Sequence, residues 1–513
     1  MAHRHNRIKR RKLLRFHSKK KYRRKKRGHY SQCKCLRRTV NKKHGKTHSE
    51  TLLGAKFESL VVKLVKVIFP LEKNSKIKKI FREAVTKGHS CFLTKEYIQK
   101  TIRVIHAGFK KAQMLIIDNL IEIQQEQGDI KRQIKIARRE KAKDKESQLS
   151  ASLHILEYKE TVLKEFANTI FWQLIQGKLH ISRRFFQNVP GNKTLEETNY
   201  KSVLEAANKI NSNPDNFVLL TDITSYVQIG DLFGIVDGKV TLIEVKEGDK
   251  NIEILEDLSK LRDSIMSTEA LYDKYKDDPK GLDQINRILK QHEVASDEMN
   301  IINTDKGHDP VTDRNIKILA PEEDTLYYYQ ELSALEKQLS EREFWAYTVV
   351  DNCLHIGIYK NKWRYLGKPL LEYIAKDQKI EHKILVDIRQ VMNTMDTPLL
   401  FLPFSKQLII DIILGKVIMF LMLDIDSFMG LFGNFGISYS WLSRRETTKL
   451  KEQIKNINLY VADNRAIRTT NIHGIEGIMT MGMLTKILFN QIRPIYVAYS
   501  LNYYKEDSSS YEL

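Results

Sequence analysis

The sequence predicts an α/β protein, with a mixed helix-and-strand domain lying between an N-terminal helical region and a helix-rich C-terminal region. Three observations predict it. Apolar residues recur at helical spacing from Phe57 to about Ile210. The pattern then shifts, from Phe217 onward, to short runs of branched and aromatic residues around an Asp237-Gly238 turn. Charged, helically spaced sequence returns from Ile252 to Asn300. At 513 residues the chain exceeds one ordinary core. Composition divides it into a basic tail (1–50), a helical region (51–150), a mixed domain (151–365) and a C-terminal region (366–513).

Residues 1–46 hold 21 Lys and Arg and no Asp or Glu. Taking these from the 86 basic residues of the whole chain leaves 65 against 63 acidic ones, so the formal charge of +23 sits almost wholly in the tail. Such a segment cannot bury apolar surface and repels itself, so it is expected to be disordered alone and to gain order on phosphates. Nucleic acid, DNA first, is the expected partner, through salt-sensitive contacts without sequence information. A nuclear address, an anionic membrane patch and a transit peptide are the other uses of such a run. No apolar run follows the charges, so no secretory signal is expected, and a cytoplasmic location is. Four cysteines suit a reducing compartment. Cys33 and Cys35, with His29, His44 and His48, lack the spacing of a structural zinc site and read as solvated tail residues.

Helices are expected at Phe57–Val67, Ile77–Ala84 and Tyr97–Gln133. Alternating charge from Lys131 to Gln148 suits a solvated helix or linker. Leu153–Leu179 reads as a helix with a buried second half, ending near Gly177, and Asn199–Ile210 as a shorter one stopped by Asn213, Pro214 and Asp215. Phe217–Ile223 and Tyr226–Ile229 read as strands, as do Ile316–Leu319, Trp345–Val350 and Leu354–Tyr359, the last two joined by an Asp351-Asn352 turn. Leu408–Leu423, the most apolar stretch, is interrupted by Asp411 and Lys416 and is too short for a bilayer, so a buried helix and no membrane span is expected. Lys505–Glu512 reads as a frayed end.

The chemistry concentrates in Gln228–Gly248. Asp237-Gly238 is a strong two-residue hairpin signal because both positions need positive φ. That turn pairs Val236 with Lys239 and, continuing, Asp231 with Glu244, with Lys246 on the same face. Two facing carboxylates repel, and Lys246 compensates only in part, so a divalent cation is expected there. Hard oxygen ligands suit Mg²⁺ or Mn²⁺.

These residues resemble the PD-(D/E)xK nuclease superfamily, whose pattern is an acid at the start of the second core strand and Glu/Asp-x-Lys on the third. The resemblance implies a restriction-endonuclease-like core, a mixed sheet flanked by helices, over 151–365. It implies that Asp231, Glu244 and the Val245 carbonyl bind the metal, that Lys246 assists the attacking water, and that a phosphodiester is hydrolysed. Gly230 stands where the family has proline. Glu165 and Glu205 are both candidates for the family's helix glutamate. Gln284, Arg287 and Gln291 share a helical face that reads as surface or as a DNA contact.

Glu-x-Lys recurs at Glu157/Lys159 and Glu381/Lys383, where no strand or preceding acidic strand is expected. Asp424-Ile-Asp426 reads as a helix end rather than a metal pair. Phosphate-binding loops, dinucleotide fingerprints and zinc-protease motifs are absent. The expected function is therefore a Mg²⁺-dependent nuclease of defence, repair or mobile-element biology. The alternatives are a non-catalytic nucleic-acid-binding scaffold and, third, a membrane-surface protein.

Overall fold

The structure is a computed structural model that describes residues 53–70, 95–186, 194–262, 265–304, 306–309, 314–317, 325–342, 344–454 and 458–503. The basic tail, with its cysteines and histidines, the helix expected at Ile77–Ala84 and the ending at Lys505–Glu512 lie outside these residues. The fold is mixed α/β, built of helices and small antiparallel sheets. The chain divides into two compact units. One takes residues 1–55 and 123–159, the other residues 56–122 and 160–513.

In the first unit, the end of helix α2 (Lys95–Arg139) and the start of α3 (Lys143–Leu174) meet at a tight turn. Lys141 adopts a left-handed φ of 56° there, and Arg138 closes the turn onto Glu146 at 2.8 Å. The alternating charge of Lys131–Gln148 thus spans two solvated helix ends. Ile123, Ile130, Ile134 and Ala137 form the buried stripe of this part of α2.

The second unit opens with α1 (Ala55–Ile68) and includes the first part of α2. Phe109 of α2 packs on Phe217, centroids 5.3 Å apart, and Gln113 accepts the Leu220 amide at 3.0 Å. Arg103 forks onto Asp215 at 2.7 and 2.8 Å. These contacts seat β1 (Phe217–Leu220), the fully buried edge of a three-stranded sheet with β2 (Leu232–Val236) and β3 (Lys239–Ile243). Helix α5 (Tyr200–Asn211) follows the short α4 (Leu179–Arg184) and covers β1 with Val203 and Ala207. Its last residue, Asn211, clamps Val218 through both the amide and the carbonyl. The other support is α3, whose second half is buried all round as expected. Phe171 meets Phe185 at 5.2 Å and Phe233 at 4.9 Å, and each such buried ring contributes roughly 1.5–3 kcal/mol.

The hairpin register is the expected one, with Val236 opposite Lys239 and Leu232 opposite Ile243, and Asp237 and Gly238 have φ of 50° and 78°. Tyr226–Ile229, expected as strand, is loop. Its backbone bonds outside any ladder: the Thr224 hydroxyl accepts from the Val227 amide, and the Gln228 amide donates to the Phe185 carbonyl.

The charged insertion folds as α6 (Asp249–Arg262), α7 (Thr268–Tyr275) and α8 (Pro279–Thr304) around Ile254, Leu271, Tyr275, Ile285 and Ile288. Strands β4 (Lys306–Asp309) and β5 (Arg314–Lys317) form a hairpin. All strand pairs among the described residues are antiparallel, so the mixed sheet implied by the resemblance is not seen among them. The connections after β3 are helical or hairpin and return no parallel strand to it.

Helix α9 (Tyr329–Arg342) precedes a four-stranded sheet in the order β6 (Trp345–Val350), β7 (Leu354–Lys360), β9 (Val417–Asp424), β8 (Lys383–Asp387). The Asp351-Asn352 turn is as expected, with φ of 47° and 56°. Helix α10 (Gly367–Asp377) packs Leu371 and Ala375 onto Met422. Leu408–Leu423 is not one buried helix. It is helix α11 (Lys406–Ile413), a break at Gly415 with φ +70°, and the central strand β9. Beyond it come α12 (Ile425–Gly430), a β10 (Ser438–Trp441), β11 (Ile467–Thr470), β12 (Glu476–Ile478) sheet, and helices α13 (Arg444–Gln453), α14 (Met481–Leu488) and α15 (Pro494–Ser500), so the C-terminal region is mixed rather than simply helical. Among the described residues no helix is long and apolar enough to cross a membrane.

Candidate active site

The site forms where the β2–β3 ladder ends. Gly230 enters β2 with φ +71°, and a Cβ there would lie 2.3 Å from Leu242 Cδ1, so neither a side chain nor the fixed negative φ of proline fits. The glycine that stands where the resembled pattern has proline thus has a local cause. The Asp231 carbonyl accepts from Thr221 in register with β1, but its amide donates to the Ile243 carbonyl at 2.9 Å, one residue out of step with the β2–β3 pairing. This slip turns the Asp231 carboxylate so that Oδ2 accepts the Val245 amide at 2.7 Å. Glu244 and Lys246 lie just past the end of β3, not within the strand as the hairpin reading expects.

Lys246 joins the acids as expected. Its Nζ lies 3.2 Å from Glu244 Oε2 and 2.7 Å from Gln291 Oε1, and its side chain is only 9% exposed. Gln291 therefore belongs to the site, and the helix face that reads as surface or DNA contact is turned inward at this point. Gln284 on the same face holds Asn251 at 2.6 Å, while Arg287 is exposed.

Burial pushes the Asp231 carboxyl up to about 6, with like charge from Glu244 and Asp222 adding to the effect. The Val245 amide and Lys246 oppose it. Asp222, in the turn that follows β1, escaped the sequence reading because it precedes the hairpin and belongs to no motif. Among the described residues no cluster of three or more His, Cys, Asp or Glu gathers around one point. Asp231, Glu244 and the Val245 carbonyl are oxygen donors of the kind Mg²⁺ or Mn²⁺ takes, ions that keep several waters and need few protein oxygens. The observation behind the fit is Asp231 itself, whose ionisation is resisted by burial and two acids and would be relieved by a cation.

Neither candidate helix glutamate takes part. Glu205 is exposed on α5. Glu165 is sealed in the core, accepts the Leu399 amide at 2.6 Å, and is pushed up to about 8 by burial. The other Glu-x-Lys copies separate on geometry. Glu157/Lys159 lies on α3. Lys383, contrary to expectation, opens strand β8 opposite Asp424, but its amine binds the Ile380 carbonyl. Asp424 is occupied capping α12, at the start of a helix rather than its end, through the amides of Asp426 and Ser427.

Comparison with known proteins finds no matching family model, no matching curated protein and no matching solved structure.

Proposed function

We propose that the protein is a metal-dependent nuclease that hydrolyses phosphodiester bonds, with DNA as the expected substrate. The observation that carries the proposal is the convergence of Asp231, Glu244 and Lys246, half-buried beside one hairpin, with Lys246 aimed by Gln291. The order α5, β1–β3, α6 matches the first part of a restriction-endonuclease-like core, without, among the described residues, the parallel strand that would complete it.

Asp231 and Glu244, with the Val245 carbonyl, would hold Mg²⁺. When bound, that ion polarises the phosphoryl group and makes a water more acidic. Lys246, between Glu244 and Gln291, keeps a donor near the acids to orient the attacking water and to meet charge developing on the phosphoryl oxygens. The Val245 amide holds the Asp231 carboxylate toward that point. The basic tail supplies sequence-independent affinity for phosphates.

Plasmid degradation in Mg²⁺ tests this reading. Asp231→Ala and Lys246→Ala are each expected to slow cleavage by about 100-fold or more. Cleavage at the parent rate by both variants would remove the site, and DNA binding with no cleavage by the parent would favour the scaffold.

A further inference from the structure

A second surface lies at the far end of the β6–β7 hairpin. Phe344, just before β6, accepts the Lys360 amide at its carbonyl at 2.8 Å. The helical turn Asn361–Tyr365 after β7 then brings Trp363 against Phe344, centroids 6.5 Å apart. Phe344 and Tyr365 are 47% and 46% exposed, and Trp363 is half-buried.

Cations are interleaved with these rings. Arg364 lies over Tyr365 at 5.0 Å. Arg364 is fixed by bonds to the Gly415 carbonyl and the Tyr365 hydroxyl, both 2.9 Å. Lys362 is exposed on the same turn. Among the described residues, Lys362 and Arg364 form no ion pair.

We infer that this end of the sheet is a stacking platform for single-stranded nucleic acid. Partly exposed rings beside unpaired cations suit a strand that offers bases and phosphates together. A duplex hides its base faces and would use only the cations. A protein partner without matching acids would have to bury two uncompensated charges. The inference rests on no residue of the Asp231 site and stands whether or not that site cuts.

The test uses the full chain in EDTA, which stops metal-dependent turnover, with a fluorescent oligothymidylate of about 15 nucleotides and a duplex of equal length. Tyr365→Ala and Phe344→Ala are expected to weaken single-strand binding about fivefold or more and to leave duplex binding unchanged. Parent affinity in both variants, or equal weakening for strand and duplex, would overturn the inference. So would a change in self-association by sedimentation without a change in oligonucleotide affinity, which would mark a protein interface. If either aromatic variant fails to fold by circular dichroism, Lys362→Ala decides. It should weaken single-strand binding and lower the salt slope by about 0.7, and an unchanged slope would overturn the inference.

Discussion

At Asp231 and Glu165, burial raises two carboxyls to different ends. Asp231 is only half-buried and faces two further acids, so its ionisation near pH 6 is coupled to whatever cation reaches it. A cation competes with a proton for the same oxygens, so affinity should rise as pH passes about 6. Glu165 lies in the core near Tyr226 and below the Leu399 amide, with its carboxyl raised from 4.5 to about 8. The native state keeps its proton where the unfolded chain has lost it, so stability present below about pH 4.5 drains away as pH rises toward 8. Glu165→Gln should flatten that dependence and stabilise the protein near pH 8, on the order of a few kcal/mol. Urea denaturation between pH 5 and 9 measures it, and a parallel slope in parent and variant would refute the assignment.

At the level of elements, the hairpin shows how far sequence reading reaches. Asp237-Gly238 announces the turn, and the register follows from it without further information, because a two-residue loop leaves only one pairing. The strand end was not legible. The slip at Asp231 depends on the left-handed Gly230 and on Leu242 filling the space where a Cβ would go, a contact between strands that no local pattern announces. Gly230→Pro, which would complete the nuclease pattern the sequence resembles, should therefore destabilise the protein by more than about 1 kcal/mol and impair cleavage, as thermal melts and plasmid assays would show. A gain in either would contradict the geometry described. Leu408–Leu423 departs from the expected single helix for a related reason. A fully buried strand and a buried helix share the same apolar run, and only Gly415 divides them.

On the scale of the whole chain, the charged insertion carried no role in its sequence, yet α8 supplies Gln291 to Lys246. Pairings between residues 45 apart, like that between Glu165 and Leu399 across 234 positions, lie beyond any periodicity argument. Charge distribution was legible, because 21 cations without an acid need no fold to be recognised. Deleting residues 2–46 should weaken DNA binding and flatten its salt dependence while Mg²⁺-dependent cleavage persists at low salt. Fluorescence anisotropy across a salt series would measure it, and an unchanged slope would place the phosphate contacts elsewhere.

Divalent-ion binding tests the shared cation most directly. Mn²⁺ titrated into the full-length protein and followed by electron paramagnetic resonance should bind more tightly at about pH 7 than at about pH 5. Asp231→Ala and Glu244→Gln should each weaken binding by about tenfold or more. Equal Mn²⁺ affinity in parent and both variants would contradict the account.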